Sequence, residues 1–213
     1  MSSCRILRTC SLLMALAVAM PAVARAQDFG LLESAETIDR GTFKLRVNPM
    51  LVFGRDDQGQ DDQGGVAALI GYGVTDRFDL EGGVALYDGF TFVGLNGEYW
   101  LVRDPARERA FDISAIAGVH LGRGSEALDT RGFDLTLLAS KRVTERLEVF
   151  GGLDIAFESI SEANIDESYT PVHLVPGVEY RVAEDLDLVG EVGIALNDEA
   201  RHYISGGIAY YFR

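Results

Sequence analysis

The chain has 213 residues, with 33 acidic and 19 basic side chains and a formal charge of −14. That balance excludes a nucleic-acid binder, since a polyanion is repelled by a surface of its own sign. The length is that of one domain, and Cys4 and Cys10 are its two cysteines.

The first expected element is an export signal. Arg5 and Arg8 precede the apolar run CSLLMALAVAM (10–20), followed by Pro21 and AVARA, where Ala24 and Ala26 form an A-x-A cleavage site. The run is shorter than the ~20 residues a helical span needs. Cleavage after Ala26 is therefore expected, and it removes both cysteines. The mature chain then enters an oxidising space without disulfides. Loss of Arg5, Arg8 and Arg25 takes the formal charge from −14 to −17. Residues 27–40 read as an N-terminal lead-in and 41–213 as one domain.

From Gly41 onward the dominant period is two. In FKLRVNPMLVF (43–53) the odd positions are apolar, and the even ones are Lys44, Arg46, Asn48, Met50 and Val52. FDLEGGVAL, AFDISAIAGVHL, LEVFGGLDIAF and LDLVGEVGIAL repeat the scheme, and 66–74, 90–102, 132–143, 169–182 and 202–212 are compatible with it. The pattern predicts about ten antiparallel strands, with about eight to twelve compatible. Most are about 9–13 residues long, which suits a tilted membrane-crossing strand better than the ~5–6 of soluble sheets.

The connections sort into two kinds. Three tight phrases, GVTDRFDL (73–80), RVTERLEV (142–149) and RVAEDLDL (181–188), and the variant RDPARER (103–109) fall after every second strand. Between them lie GRDDQGQDDQG (54–64), YDG (87–89), GRGSEALDTRG (122–132), ESISEANIDES (158–168) and NDEAR (197–201). Short turns at one end and longer loops at the other predict an all-β, transmembrane, antiparallel up-and-down β-barrel, with both termini at the turn end.

A soluble barrel hides its apolar face and a membrane barrel shows it, so alternation alone does not choose. The aromatic residues do. Phe43, Tyr72, Phe78, Tyr99, Phe111, Tyr180, Tyr210 and Phe212 fall near the turn end, and Phe53, Phe133 and Phe157 near the loop end. Aliphatic strand centres lie between these two girdles. The second face carries the expected lumen charge network of Lys44, Arg46, Glu81, Glu98, Asp154, Glu179 and Glu191. Glycines among them, such as Gly71, Gly83, Gly177, Gly193 and Gly207, are expected to leave room for long charged side chains. Such a lumen is either a closed ion-pair interior or a narrow pore that favours cations.

Catalytic chemistry finds little support. His120 and His173 fall on the inward face near the loop end, and His202 at the start of the last strand. None has a second His or Cys at ligand spacing, so no metal or cofactor is expected. His202 and Ser205 are three apart and point to opposite faces of a strand. A role for His120 or His173 with residues of neighbouring strands stays open, and no catalytic residue is assigned. The repeat DDQGQDDQG lacks the spacing and terminal Glu of a calcium loop. It reads as a solvated loop, with divalent bridging to lipid phosphates as the alternative.

The C-terminal ISGGIAYYF, with Ser205, Gly207, Tyr210 and Phe212, resembles the terminal-strand insertion signal of Gram-negative outer-membrane β-barrel proteins; Arg213 departs from that pattern. The three turn phrases and the lead-in ESAETIDRGTFKLRV resemble the same family. The resemblance implies an outer-membrane barrel with periplasmic termini. It also implies partners: outer-membrane lipids, the barrel-assembly machinery and periplasmic chaperones. The expected function is a non-enzymatic barrel of structural or narrow-pore type, passing small polar or cationic solutes if open. Alternatives are an outer-membrane lipid hydrolase or acyltransferase, and a soluble periplasmic barrel.

Overall fold

A computed structural model describes residues 33–55, 61–103, 111–124, 129–162 and 165–213. The expected signal peptide (1–26), the centre of the first long loop (56–60) and nearly all of the RDPARER connection (104–110) lie outside the described residues.

Eleven strands follow one another: β1 (Phe43–Val52), β2 (Gln63–Thr75), β3 (Phe78–Tyr87), β4 (Phe90–Val102), β5 (Asp112–Gly124), β6 (Asp129–Arg142), β7 (Leu147–Glu162), β8 (Ile165–Tyr169), β9 (Val172–Ala183), β10 (Leu186–Ala195) and β11 (Tyr203–Phe212). Each pairs antiparallel with its sequence neighbour, except that β7 pairs with both β8 and β9. β9 lies along Leu147–Ile155 and β8 along Glu158–Glu162, so β8 prolongs the line of β9 at the loop end. The barrel wall therefore has ten strands. It is closed by β1 against β11, in register from Phe43↔Phe212 to Val52↔Tyr203. Closure leaves no unpaired edge in the wall, which a membrane-spanning sheet requires.

The tight turns owe their shape to a hydroxyl. Thr75 Oγ1 accepts the Arg77 N–H at 3.2 Å. In the second copy Thr144 Oγ1 accepts the N–H groups of Arg146 (3.2 Å) and Leu147 (3.0 Å). These are side-chain-to-backbone turns of the Ser/Thr kind. Ala183 replaces the threonine in the third copy; the ladder shifts register at the first copy, between Gly73 and Thr75, as well as at the third, between Leu186 and Asp187. At the other end the tight β3–β4 turn needs Gly89, whose φ is 81°.

Two expected loops are partly strand. Residues 122–132 and 158–168 read as polar loops, yet β5 runs to Gly124, β6 starts at Asp129, and β7 pairs with β8 from Glu158↔Tyr169 to Glu162↔Ile165. Here β6 and β7 pair as far as Asp129↔Ser161, which satisfies backbone groups that a loop would leave to water. Inward-facing Thr130, Glu158, Ile160 and Tyr169 are buried while Arg131 and Ser168 stay exposed, so the period of two continues through a polar stretch. His202 precedes β11 rather than starting it, and its Nδ1 accepts the Ala195 N–H at 3.1 Å.

The wall is inverted relative to a soluble barrel. On β1, Phe43, Leu45, Val47 and Leu51 point out and are exposed, while Lys44, Arg46, Asn48, Met50 and Val52 point in and are buried. The other strands repeat this, with Ile70, Val93, Leu121, Leu137, Leu153, Leu174 and Ile208 all more than a third exposed. An outward face this uniformly apolar is rare on a soluble monomer and fits a hydrocarbon surround. The chain is a transmembrane antiparallel β-barrel.

Candidate functional site

Since the exterior faces lipid, solute chemistry would have to happen in the lumen or at the loops. The turn-side half of the lumen is polar, and the lead-in enters it. Glu33, Ser34, Ala35, Thr37 and Ile38 are all buried there. A parallel bridge of Arg40 to Gly73, and the Gly41 N–H donating to Gly73 O at 2.8 Å, fix where the segment crosses the rim. Gly73 has no room for a side chain, since a Cβ would come within 2.2 Å of the Asp39 carbonyl oxygen.

Lys44 and Arg46 stand two apart on β1 and so share the inward face. Lys44 Nζ contacts Glu33 and lies 2.8 Å from Glu81 Oε1. Arg46 reaches Glu33 Oε1 at 2.8 Å and Glu81 Oε2 at 2.9 Å. Two cations and two carboxylates thus close a neutral ring, which is how buried charges are tolerated. Burial opposes ionisation of Glu33, which lies on the lead-in outside the strands. Arg46 and Lys44 outweigh that burial and hold its carboxyl down at about 2.

Further bonds tie the lead-in to distant strands. The Ile38 N–H donates to Asp79 Oδ2 at 2.7 Å, and the Ala35 N–H to Ser140 Oγ at 3.0 Å. Ser140 donates in turn to Glu148 at 2.5 Å, and Arg142 grips both oxygens of Glu36 at 2.9 Å. Beside this segment a polar cavity of about 600 Å³ opens at the turn end, among Glu36, Glu179, Arg181, Glu184 and Asp187.

Among these polar groups an apolar cluster runs from the turn side to the loop side of the lumen. Met50, Leu69, Phe92, Leu138, Phe150, Val175, Val189 and Tyr203 are buried as one cluster, with Tyr87 and Val52 among them. The inward glycines serve this layer. A Cβ on Gly193 would meet the Tyr203 ring at 1.8 Å, one on Gly177 the Phe150 ring at 2.2 Å, and one on Gly65 the Tyr87 ring at 2.3 Å. At these three a ring occupies the space, whereas Gly71 lies against Glu81 and Ile38, Gly83 against Leu69 and Gly207 against Asn48.

The loop-side rim is knitted by Arg201. Its guanidinium donates to Phe53 O (2.9 Å), Gln63 Oε1 (2.9 Å) and Asp61 O (2.7 Å). His173 meets the Arg201 carbonyl at 3.0 Å, and His120 Nδ1 meets Asp134 Oδ2 at 2.8 Å. Both residues are buried, at 1% and 2% exposure. No group of three or more His, Cys, Asp or Glu at metal-holding distance occurs among the described residues.

The structure places the residues singled out from the sequence as follows. Lys44, Arg46 and Glu81 meet in the ring, with Glu33 as a member that the alternation pattern did not include. Glu98, Glu179 and Glu191 are buried inward, and Asp154 accepts the Thr136 hydroxyl at 2.7 Å in the loop-side half. Phe43, Tyr72, Tyr99, Phe111, Tyr180, Tyr210 and Phe212 point outward, while Phe78 is partly covered. Phe43 packs on Tyr72 and Phe212 with centroids at 4.8 and 5.5 Å. In the terminal strand Ser205 points inward and donates to Pro49 O at 2.9 Å, and Gly207 lies against Asn48. The apolar lumen layer was the main omission. Met50, Val52 and Phe150 on the otherwise polar face were its signal.

No protein-family model and no curated protein matches the sequence. Among solved structures, the KdgM porin aligns at 14% identity and a TM-score of 0.45, over 80% of this chain and 99% of that one. The outer-membrane protease OmpT of Escherichia coli aligns at 9% and 0.46, over 84% and 100%. The N-terminal β-barrel domain of Pseudomonas aeruginosa OprF aligns at 15% and 0.36, over 82% and 100%. What places this chain in a membrane is its own outward apolar face.

Proposed function

We propose that the protein is a non-conducting barrel of a Gram-negative outer membrane. Its lumen is a folded core, and its work is to hold loop-side structure at the cell surface. The observation that carries this reading is the apolar layer. Phe92 and Tyr203 at 1%, Leu138 and Val175 at 0%, and Phe150 at 6% exposure fill the lumen, and the polar groups among them, such as Glu191 at 4% beside Tyr203, are buried as well. The lead-in backs it on the turn side, where Ala35 joins the same buried cluster.

In this reading the signal peptide is cleaved after Ala26 and both termini are periplasmic. Ser205, Gly207, Tyr210 and Phe212 present the terminal strand to the barrel-assembly machinery after delivery by periplasmic chaperones. The buried His120 and His173 support a non-enzymatic role. The full-length mature barrel in planar bilayers is expected to show no stepwise conductance, and steady single-channel steps would overturn the closed-lumen reading in favour of a narrow pore. Cells overproducing it are expected to keep their lipid profile. New lyso- or over-acylated species would point instead to a lipid hydrolase or acyltransferase.

A further inference from the structure

The exterior is not uniform. On the loop-side half of β4–β7 two adjoining concavities of about 830 and 690 Å³ lie on the outward face. Val93, Leu95, Val119, Leu121, Phe133 and Phe157 floor the larger one, each between 41% and 61% exposed. One strand step nearer the loops the same face turns basic at Arg131 and Arg123. Arg123 is paired with Asp129 at 3.2 Å, whereas Arg131 forms no ion pair among the described residues. Arg55, at the same end of the barrel, is by contrast turned to Asp198 at 3.7 Å. Arg131 therefore brings a positive charge with no carboxylate bound to it to the loop-side edge of the apolar floor.

We propose that this groove seats one phosphorylated, multi-acyl lipid of the outer leaflet. Its chains lie on the apolar floor and its phosphate sits at Arg131, with Arg123 beside it. Charge and distance both favour this occupant. Arg131 and Phe133 are two residues apart on one face, about 7 Å along the strand. One lipid molecule therefore reaches both with its head and its chains, which a free anion or a neutral hydrocarbon cannot do. Four strands spaced about 4.8 Å apart give a floor about 14 Å wide, broader than one acyl chain. Ser168 and Thr170, from the β7–β8 hairpin and the residue after it, wall one side. The inference rests on the membrane reading above, and the groove adds a defined annular site to it.

The test uses the mature full chain refolded in a neutral detergent and native mass spectrometry. The probes are a bis-phosphorylated multi-acyl glucosamine disaccharide, the same lipid without its phosphates, and inorganic phosphate. The wild type is expected to retain one equivalent of the phosphorylated lipid, in preference to the dephosphorylated one, and no inorganic phosphate. Arg131→Ala weakens retention about fivefold, the effect of one basic residue at a membrane surface. Arg77→Ala, in a turn at the opposite end, leaves it unchanged. Equal retention of the two lipids, or wild-type retention by Arg131→Ala, overturns the site. Failure of the membrane reading looks different, since the wild type would then stay folded and soluble without detergent.

Discussion

Replacing Phe150 by alanine lowers the unfolding free energy of the barrel by about 3–5 kcal/mol, the usual cost of deleting a buried aromatic ring. Phe150 is 6% exposed and its ring lies on Gly177, where even a methyl group would not fit. Gly177 has no side chain to move into the vacated space, and the ring of strands around it is closed. Urea unfolding in lipid vesicles, read from the emission of the single tryptophan, Trp100, measures the loss. Leu153→Ala, on the outward face of the same strand, is the control. Lipid fills that vacancy, so its cost is smaller. If the two variants lose the same stability, the lumen layer is not a packed core.

Removing the Glu33 carboxylate has a comparable effect. Glu33→Ala leaves Lys44 and Arg46 to share Glu81 inside the barrel, and stripping one partner from a buried ion-pair group costs about 3–5 kcal/mol. The same carboxylate gives a pH signature. Its folded pKa of about 2 lies below the ordinary 4.5, so its stabilisation is complete above pH 4.5 and drains away as pH falls toward 2. The wild type is therefore expected to lose urea resistance across that window. Glu33→Gln starts lower and loses less in the same interval. Parallel pH profiles for the two proteins would show that the lead-in carboxylate is not held in the ring.

The turns were legible because their cause is local: Thr75 and Thr144 bond to backbone two and three residues away. The outward face was legible for the same reason, since alternate Cβ atoms take opposite sides of a strand whatever surrounds it. Composition misled where strands run past the hydrocarbon. The 158–168 stretch is polar because its outward side chains meet headgroups or water, yet its backbone still pairs. From the sequence, residues 27–40 read as an N-terminal lead-in before the barrel domain. Its bonds to Ser140 and Glu179 span more than 100 residues, which no local pattern encodes.

The sequence by itself determined that the chain is a barrel, which side of each strand faces out, and where the chain reverses. Each of these follows from a period of two and from turn residues acting over a few positions. Only the tertiary structure decided what the lumen is. Whether Lys44 and Arg46 line a path or close a ring depends on what Glu33 and Glu81 bring across the barrel. Whether inward glycines make space or lose it depends on which ring, Tyr203 or Phe150, the neighbouring strand lays over them. Those partners are set by strand register around a closed wall, so the interior belongs to the assembled barrel rather than to any one strand.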